Sequence, residues 1–182
     1  MRSLKLILFA LIIYSSSNVF SQTDTSKTVP IDPDTKKITY KEVVQQVGEP
    51  GKFYNQAISW INSKYKNPED ATRVRDAANN KIEIRHRIKV YNIDKDGNKT
   101  EAAVVSYTMI LEFKKDKYRY TITDYNVDRT SKFPLERWTN KNDPQYTPLC
   151  DSYISQINEA TIEIIKSLKE GMKIKEIKQD NW

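Results

Sequence analysis

The sequence predicts an α+β domain of order β-α-β-β-β-β-α, a five-stranded antiparallel sheet with two helices on one face. Three observations predict it. Lys81–Val90 (KIEIRHRIKV) alternates strictly, with Ile82, Ile84, His86, Ile88 and Val90 on one side and five charged residues on the other. That period of two marks a strand with one face in a core and one in water, the pattern of an antiparallel sheet covered on one side. Two further alternating runs follow it, joined by turn residues rather than by helical crossovers. Two segments with helical spacing, one early and one late, supply the cover.

Taken in order, the chain opens on Arg2 and Lys5, then an apolar run Leu4–Tyr14, then small and polar residues to Ser21. This reads as a signal peptide cleaved near Ser21–Gln22, so a secreted protein (periplasmic or extracellular) is expected. The run is about half of the ~20 apolar residues a membrane span needs. Residues 22–36 are polar and carry two prolines, and are expected as a flexible leader. The single domain is expected over residues 37–171, followed by a charged tail, 172–182.

Residues 37–47 are rich in β-branched side chains and read as the first strand. Gly48-Glu49-Pro50-Gly51 breaks it. Phe53, Tyr54, Ala57, Ile58, Ile61 and Tyr65 then recur at helical spacing, predicting a helix over 52–65 that stops before Pro68. Thr72–Asp76 is the second strand, Lys81–Tyr91 the third. Asp96-Gly97 marks a hairpin turn. The fourth strand, Glu101–Phe113, directs Val105, Tyr107, Met109, Leu111 and Phe113 inward. A four-residue turn then sets Phe113 opposite Tyr118, so Tyr118, Tyr120 and Ile122 of the fifth strand, Tyr118–Val127, share the inner face. The same alternation assigns Arg119, Thr123 and Tyr125 to the outer one. Residues 128–146 are irregular. Thr147-Pro148 opens a long helix whose stripe is Leu149, Tyr153, Ile157, Ala160, Ile164 and Leu168, with Gly171 as its stop.

Three stretches, ITYKEVVQ (Ile38–Gln45), FYNQAISWINSKYK (Phe53–Lys66) and KDKYRYTITDY (Lys115–Tyr125), resemble a family of exported bacterial domains of unknown function with a TBP-like fold, the fold of TATA-box-binding protein. The resemblance runs from Ile38 to Tyr125 and implies the same element order. It departs at Glu49-Pro50-Gly51, where a serine-type helix cap would be expected. It implies no activity and carries over no functional residues.

The chemistry-bearing residues are few. His86 and Cys150 are the single histidine and cysteine. A Ser-His-Asp triad or a histidine-based zinc site therefore has nothing to build on, and no disulfide can form within the chain. His86 is expected in the core, among isoleucines, and Cys150 as a small buried side chain. Asn92–Ala103 carries Asp94, Asp96 and Gly97 at calcium-loop spacing, but Ala103 stands where the bidentate glutamate belongs, so a plain turn is expected. No cofactor is implied, and no enzymatic activity is expected.

The formal net charge of +6 falls to +4 without Arg2 and Lys5, with the charges interspersed. Nucleic acid is not an expected partner on that balance. Two surfaces are candidates for binding a protein or an anionic glycan. One is the polar sheet face, with Arg85, Arg87, Lys89, Tyr91, Arg119, Thr123 and Tyr125. The other is the 128–146 loop, with Phe133, Pro134, Leu135, Trp138 and Tyr146. Each competes with a plainer reading: a solvated sheet face, and a loop that plugs the end of the core. The expectation is a monomeric binding module. The alternative is a carrier holding a small apolar ligand between the sheet and the C-terminal helix, against Tyr107, Tyr118, Tyr120 and Tyr153.

Overall fold

The computed structural model describes residues 28–174. The signal-peptide segment, the leader up to residue 27 and the tail from 175 onward lie outside them. The described elements are β1 (Tyr40–Gln45), α1 (Pro50–Lys64), α2 (Pro68–Ala71), β2 (Thr72–Asp76), β3 (Lys81–Ile93), β4 (Lys99–Lys114), β5 (Lys117–Val127), β6 (Phe133–Pro134), a 3₁₀ turn at Leu135–Trp138 and α3 (Leu149–Gly171). The sheet is antiparallel in the order β1-β5-β4-β3-β2, and β6 adds a short sixth strand against β5. The fold is α+β, as the alternation predicts. α2 and β6 are too short to leave a period in the sequence.

The alternation locates the core. Ile82, Ile84, Ile88 and Val90 of β3 are buried, as are Val105, Tyr107, Met109, Leu111 and Phe113 of β4 and Tyr118, Tyr120 and Ile122 of β5. Phe113 pairs with Tyr118. α1 contributes Phe53, Ala57, Trp60 and Ile61 to the same cluster. Its first turn has no side-chain cap; Pro50 occupies the first turn, where a missing N–H costs nothing. α1 and α3 lie side by side: Trp60 Nε1 donates to Ser167 Oγ at 3.1 Å, and Gln56 Nε2 to the Gly171 carbonyl at 2.7 Å. A side chain at Gly171 would run into the Trp60 ring, so this close crossing requires glycine.

The buried face of α3 is rotated from the expected stripe. Leu149 is exposed, while Cys150, Ile154, Ile157, Asn158, Thr161 and Leu168 are buried. Two of those are polar because they serve tyrosine hydroxyls. Tyr40 OH donates to Asn158 Oδ1 at 2.7 Å, and Tyr125 OH bonds Thr161 Oγ1 at 3.0 Å.

Both ends of the domain extend beyond 37–171. Residues 28–36, expected within a flexible leader, are structured. Val29 is buried, Ile31 bridges to Ile38, and Asp32 Oδ1 accepts from the Asp34 and Thr35 N–H groups at 3.1 and 2.8 Å. Met172, expected in a frayed tail, is fully buried, and Ile174 packs on the core.

Glu42 ties β1 to its neighbours, accepting from Tyr120 OH at 2.6 Å and from Lys169 Nζ at 2.8 Å. Partial burial pushes its carboxyl up, but the bonds from Lys169 and Tyr120 outweigh it and hold the group below its ordinary 4.5. A carboxyl whose folded pKa is depressed adds stability above the unfolded value and loses it as pH falls through the folded one. We therefore expect the thermal midpoint to fall below about pH 4.5, with part of that slope absent in Glu42→Gln. The pair is partly exposed, so its share is under about 1 kcal/mol. Thermal melts of both proteins across the acid range test this.

Candidate functional site

The two helices leave the other side of the sheet open, and its most cationic corner lies where β3, β4 and the end of β5 meet. β3 supplies Arg85, Arg87 and Lys89, all exposed. β4 supplies Ser106 and Thr108, which stand directly across from Arg87 and Arg85. Two adjoining clefts, of about 610 and 530 Å³, share Arg85, Ser106 and Asp128. The larger wraps the sheet edge to Lys66, Asp70 and Arg73; the smaller runs across the open face to Lys37, Arg129 and Lys132.

Cations outnumber anions here, and two of the three anions are already engaged. Asp128 pairs with Arg87 at 2.9 Å and Asp124 with Lys37 at 2.5 Å. The Asp124 carboxylate raises the Lys37 ammonium above its usual range through a hydrogen bond and its charge. Arg85 makes no ion pair among the described residues. The floor offers an acceptor as well. Asn126 Oδ1 is a buried side-chain oxygen with no hydrogen-bond partner among the described residues, its amide nitrogen being held by the Asp124 carbonyl at 2.8 Å. Buried polar groups ordinarily find partners, so this oxygen marks a place for a donor.

The expected site residues divide. Arg85 and Arg87 belong to this corner, and Tyr91 is half-buried further along β3. Arg119 stands on the same face but apart, paired with Glu112 at 2.6 Å.

Tyr125 is not on the open face. β5 carries a bulge in which Asp124 and Tyr125 together oppose Tyr107, with Asp124 at φ 56°. The extra residue reverses the alternation, so Tyr125 and Val127 turn inward and Asn126 outward. Tyr125 is 1% exposed and packs between Tyr40 and Tyr107.

Phe133 and Trp138 are likewise core residues, 4% and 3% exposed. Phe133 lies under Arg129 and Arg137, and Trp138 packs against Phe133 and Tyr153. The loop is fastened by Arg137 to Asp143, at 2.8 and 3.0 Å, and by Glu136 Oε1 accepting from the Ile38 N–H at 2.8 Å. It plugs the end of the core.

His86 is corrected in the other direction. It has the inward parity but is exposed, because β3 there runs past the cover of α1. Its ring packs on Tyr65 at 4.6 Å and lines the larger cleft. Partial burial holds the imidazole below its ordinary 6.5, with a bond to the Arg87 backbone opposing that and the Arg87 charge adding to it. Residues missed by sequence reasoning are Lys37, Lys66, Arg73, Asn126, Asp128 and Lys132. They come from connections and strand ends, which periodicity does not place.

The Asp94 carboxylate is consumed by its own turn, accepting from the Asp96 and Asn98 N–H groups at 2.9 and 2.8 Å and from Asn98 Nδ2 at 2.8 Å. The segment forms a hairpin turn between β3 and β4. Cys150 is buried and accepts from the Thr147 N–H at 3.4 Å.

Residues 40–128 match the model of a family described as a domain of unknown function, DUF4468, with a TBP-like fold. Over this segment, just under half of the chain, the sequence is similar to that family. Among solved structures, the chain is similar to a DUF4468 family protein from Bacteroides ovatus ATCC 8483, at 13% identity and a TM-score of 0.63, covering 82% of this chain and 93% of that one. It is also similar to a TBP-like protein from Parabacteroides distasonis ATCC 8503, at 13% identity and a TM-score of 0.52, covering 78% and 97%. At that identity both likenesses speak for the fold alone. No match was found among curated proteins. The basic corner straddles the end of the DUF4468 match: Arg85, Arg87 and Asp128 lie inside it, Arg129 and Lys132 beyond it. No helix among the described residues is long and apolar enough to cross a membrane.

Proposed function

We propose that this chain is an exported, non-enzymatic binding module that docks an anionic partner on the basic corner of its open sheet face. The observation that carries the reading is Arg85, the exposed cation common to both clefts and without an acidic partner among the described residues. Around it Lys37, Arg73, Arg129 and Lys132 add charge, which speeds encounter and selects partners. Binding is favoured over catalysis because Asp124 and Asp128 are held in ion pairs. Export rests on the apolar run Leu4–Tyr14 behind Arg2 and Lys5.

The carrier reading draws no comparable support. Tyr107, Tyr118 and Tyr120 are each less than 5% exposed. The Tyr107 hydroxyl faces that of Tyr65 at 3.4 Å, and that of Tyr120 is spent on Glu42. Neither basic cleft is lined by α3.

Replacing Arg85 and Arg87 together by alanine should weaken binding of a sulfated oligosaccharide or an acidic peptide at least about tenfold at low salt. The thermal midpoint should not move, since both side chains are exposed. Asp128→Asn should strengthen the same binding by releasing Arg87. Fluorescence polarisation across a salt series reads both effects; affinities unchanged in the double variant would overturn the proposal.

A further inference from the structure

β3 is paired with β4 along its whole length, from Lys81 to Ile93, but its other edge is covered only at the two ends. At one end β2 stops at the pair Thr72–Ile84. α2 then leads the chain away from the sheet, with Thr72 Oγ1 closing onto the Pro68 carbonyl at 2.7 Å. At the other end a side chain takes the place of a strand. Gln156 of α3 accepts from the Tyr91 N–H and donates to the Tyr91 carbonyl, both at 2.9 Å. Tyr91 thus directs both main-chain groups away from β4. The pairing shifts register between Val90 and Tyr91, but the extra residue, Ala102, lies in β4, so along β3 the direction alternates and Lys89, Arg87 and Arg85 direct theirs to the same side.

No main-chain partner meets those three residues on that side among the described residues; the His86 ring alone reaches the Arg87 backbone. The gap is a length of edge with its ladder open, bounded by a strand and by an amide that imitates one. The cleft of about 610 Å³ lies against it, its far wall formed by Lys66, Asn67 and Asp70. At about 3.3 Å per residue the opening from Arg85 to Lys89 takes a segment of about five residues.

We propose that this edge takes up an extended acidic polypeptide as an additional strand. The inference rests on the anionic-partner reading above and names the partner's chemistry. Main-chain bonds to β3 would supply affinity and alternate side chains specificity. Residues opposite each other across two strands share a face, so the guest residues facing Arg85, Arg87 and Lys89 fall on the open, basic side and carry carboxylates. Those between them face His86 and the α1–α2 connection. The cations that repel a second copy of this edge select an acidic one.

A fluorescent peptide alternating Glu and Thr, titrated by polarisation, tests this with two N-methylated versions. One carries methyl groups on every Glu nitrogen, the other on every Thr nitrogen. A strand presents only one of these sets to its neighbour. We expect one version to bind at least about tenfold more weakly and the other within about twofold of the parent. Loss in the Glu set reports antiparallel addition and loss in the Thr set parallel addition. Bound peptide should also slow amide exchange at Arg85, Arg87 and Lys89.

Equal binding by all three peptides, with unchanged exchange at those amides, overturns strand addition. If binding is then still lost in the Arg85→Ala, Arg87→Ala variant, the anionic-partner reading stands. Failure of the peptide and of a sulfated oligosaccharide alike to bind at low salt overturns both.

Discussion

Trp138→Ala is expected to cost about 3–5 kcal/mol of folding stability, a large share of what a domain of this size holds. Trp138 is 3% exposed, with its ring 5.3 Å from Tyr153 and 6.3 Å from Phe133. Truncation removes contacts from α3, from the 3₁₀ turn and from β6 at once, and the void has little freedom to close. Phe133 is held under two guanidinium groups, and the loop backbone is fixed through Arg137, Asp143 and Glu136. Urea denaturation followed by far-ultraviolet circular dichroism checks the figure. A variant within about 0.5 kcal/mol of the parent would return this loop to the surface and to the list of binding elements.

The loop shows where composition misleads. Aromatic residues in a long irregular segment carry the same letters whether they anchor a partner or plug a core. What decides is whether the segment closes back on the sheet, and here β6 pairs with β5 through Val127–Phe133 and Asn126–Pro134. Two residues of strand leave no period to read. The sheet itself was legible because its alternation runs long. β2 occupies the predicted Thr72–Asp76, and β3, β4 and β5 extend the predicted runs by at most two residues at either end. Period two says which way a side chain points and nothing about what lies above it. His86 has the inward parity and still reaches solvent beside Tyr65, past the end of α1. α3 fails differently: an apolar stripe cannot anticipate that Asn158 and Thr161 are buried to satisfy Tyr40 and Tyr125. Of the candidate site, Arg85 and Arg87 were legible from alternation. The cations that complete it arrive on turns and strand ends, brought together by topology.

Tyr125→Ala is expected to be as damaging as the loss of Trp138, about 3–5 kcal/mol, although strict alternation makes Tyr125 a surface residue. The sequence holds the correction. Tyr118, Tyr120 and Ile122 step by two, then Tyr125 and Val127 resume the step one residue late. Asp124 absorbs the slip at φ 56°, a conformation that aspartate tolerates better than most residues do. The slip brings the Tyr125 ring between Tyr40 and Tyr107 and its hydroxyl to Thr161. Burial pushes that hydroxyl far above its usual range, the bond from Thr161 opposing and the nearby Tyr40 adding to it, so it stays protonated. Tyr125→Phe keeps the ring and removes only the buried bond, so its cost is smaller, about 1–3 kcal/mol. The two substitutions separate packing from hydrogen bonding at one position, by urea denaturation at neutral pH. If β5 kept strict alternation, Tyr125 would face water and neither variant would differ from the parent by more than about 0.5 kcal/mol. A large loss in the alanine variant with a smaller one in phenylalanine requires the bulge. The bulge is also what turns Asn126 outward, so the same pair of melts tests the floor of the basic cleft through its neighbour in the core.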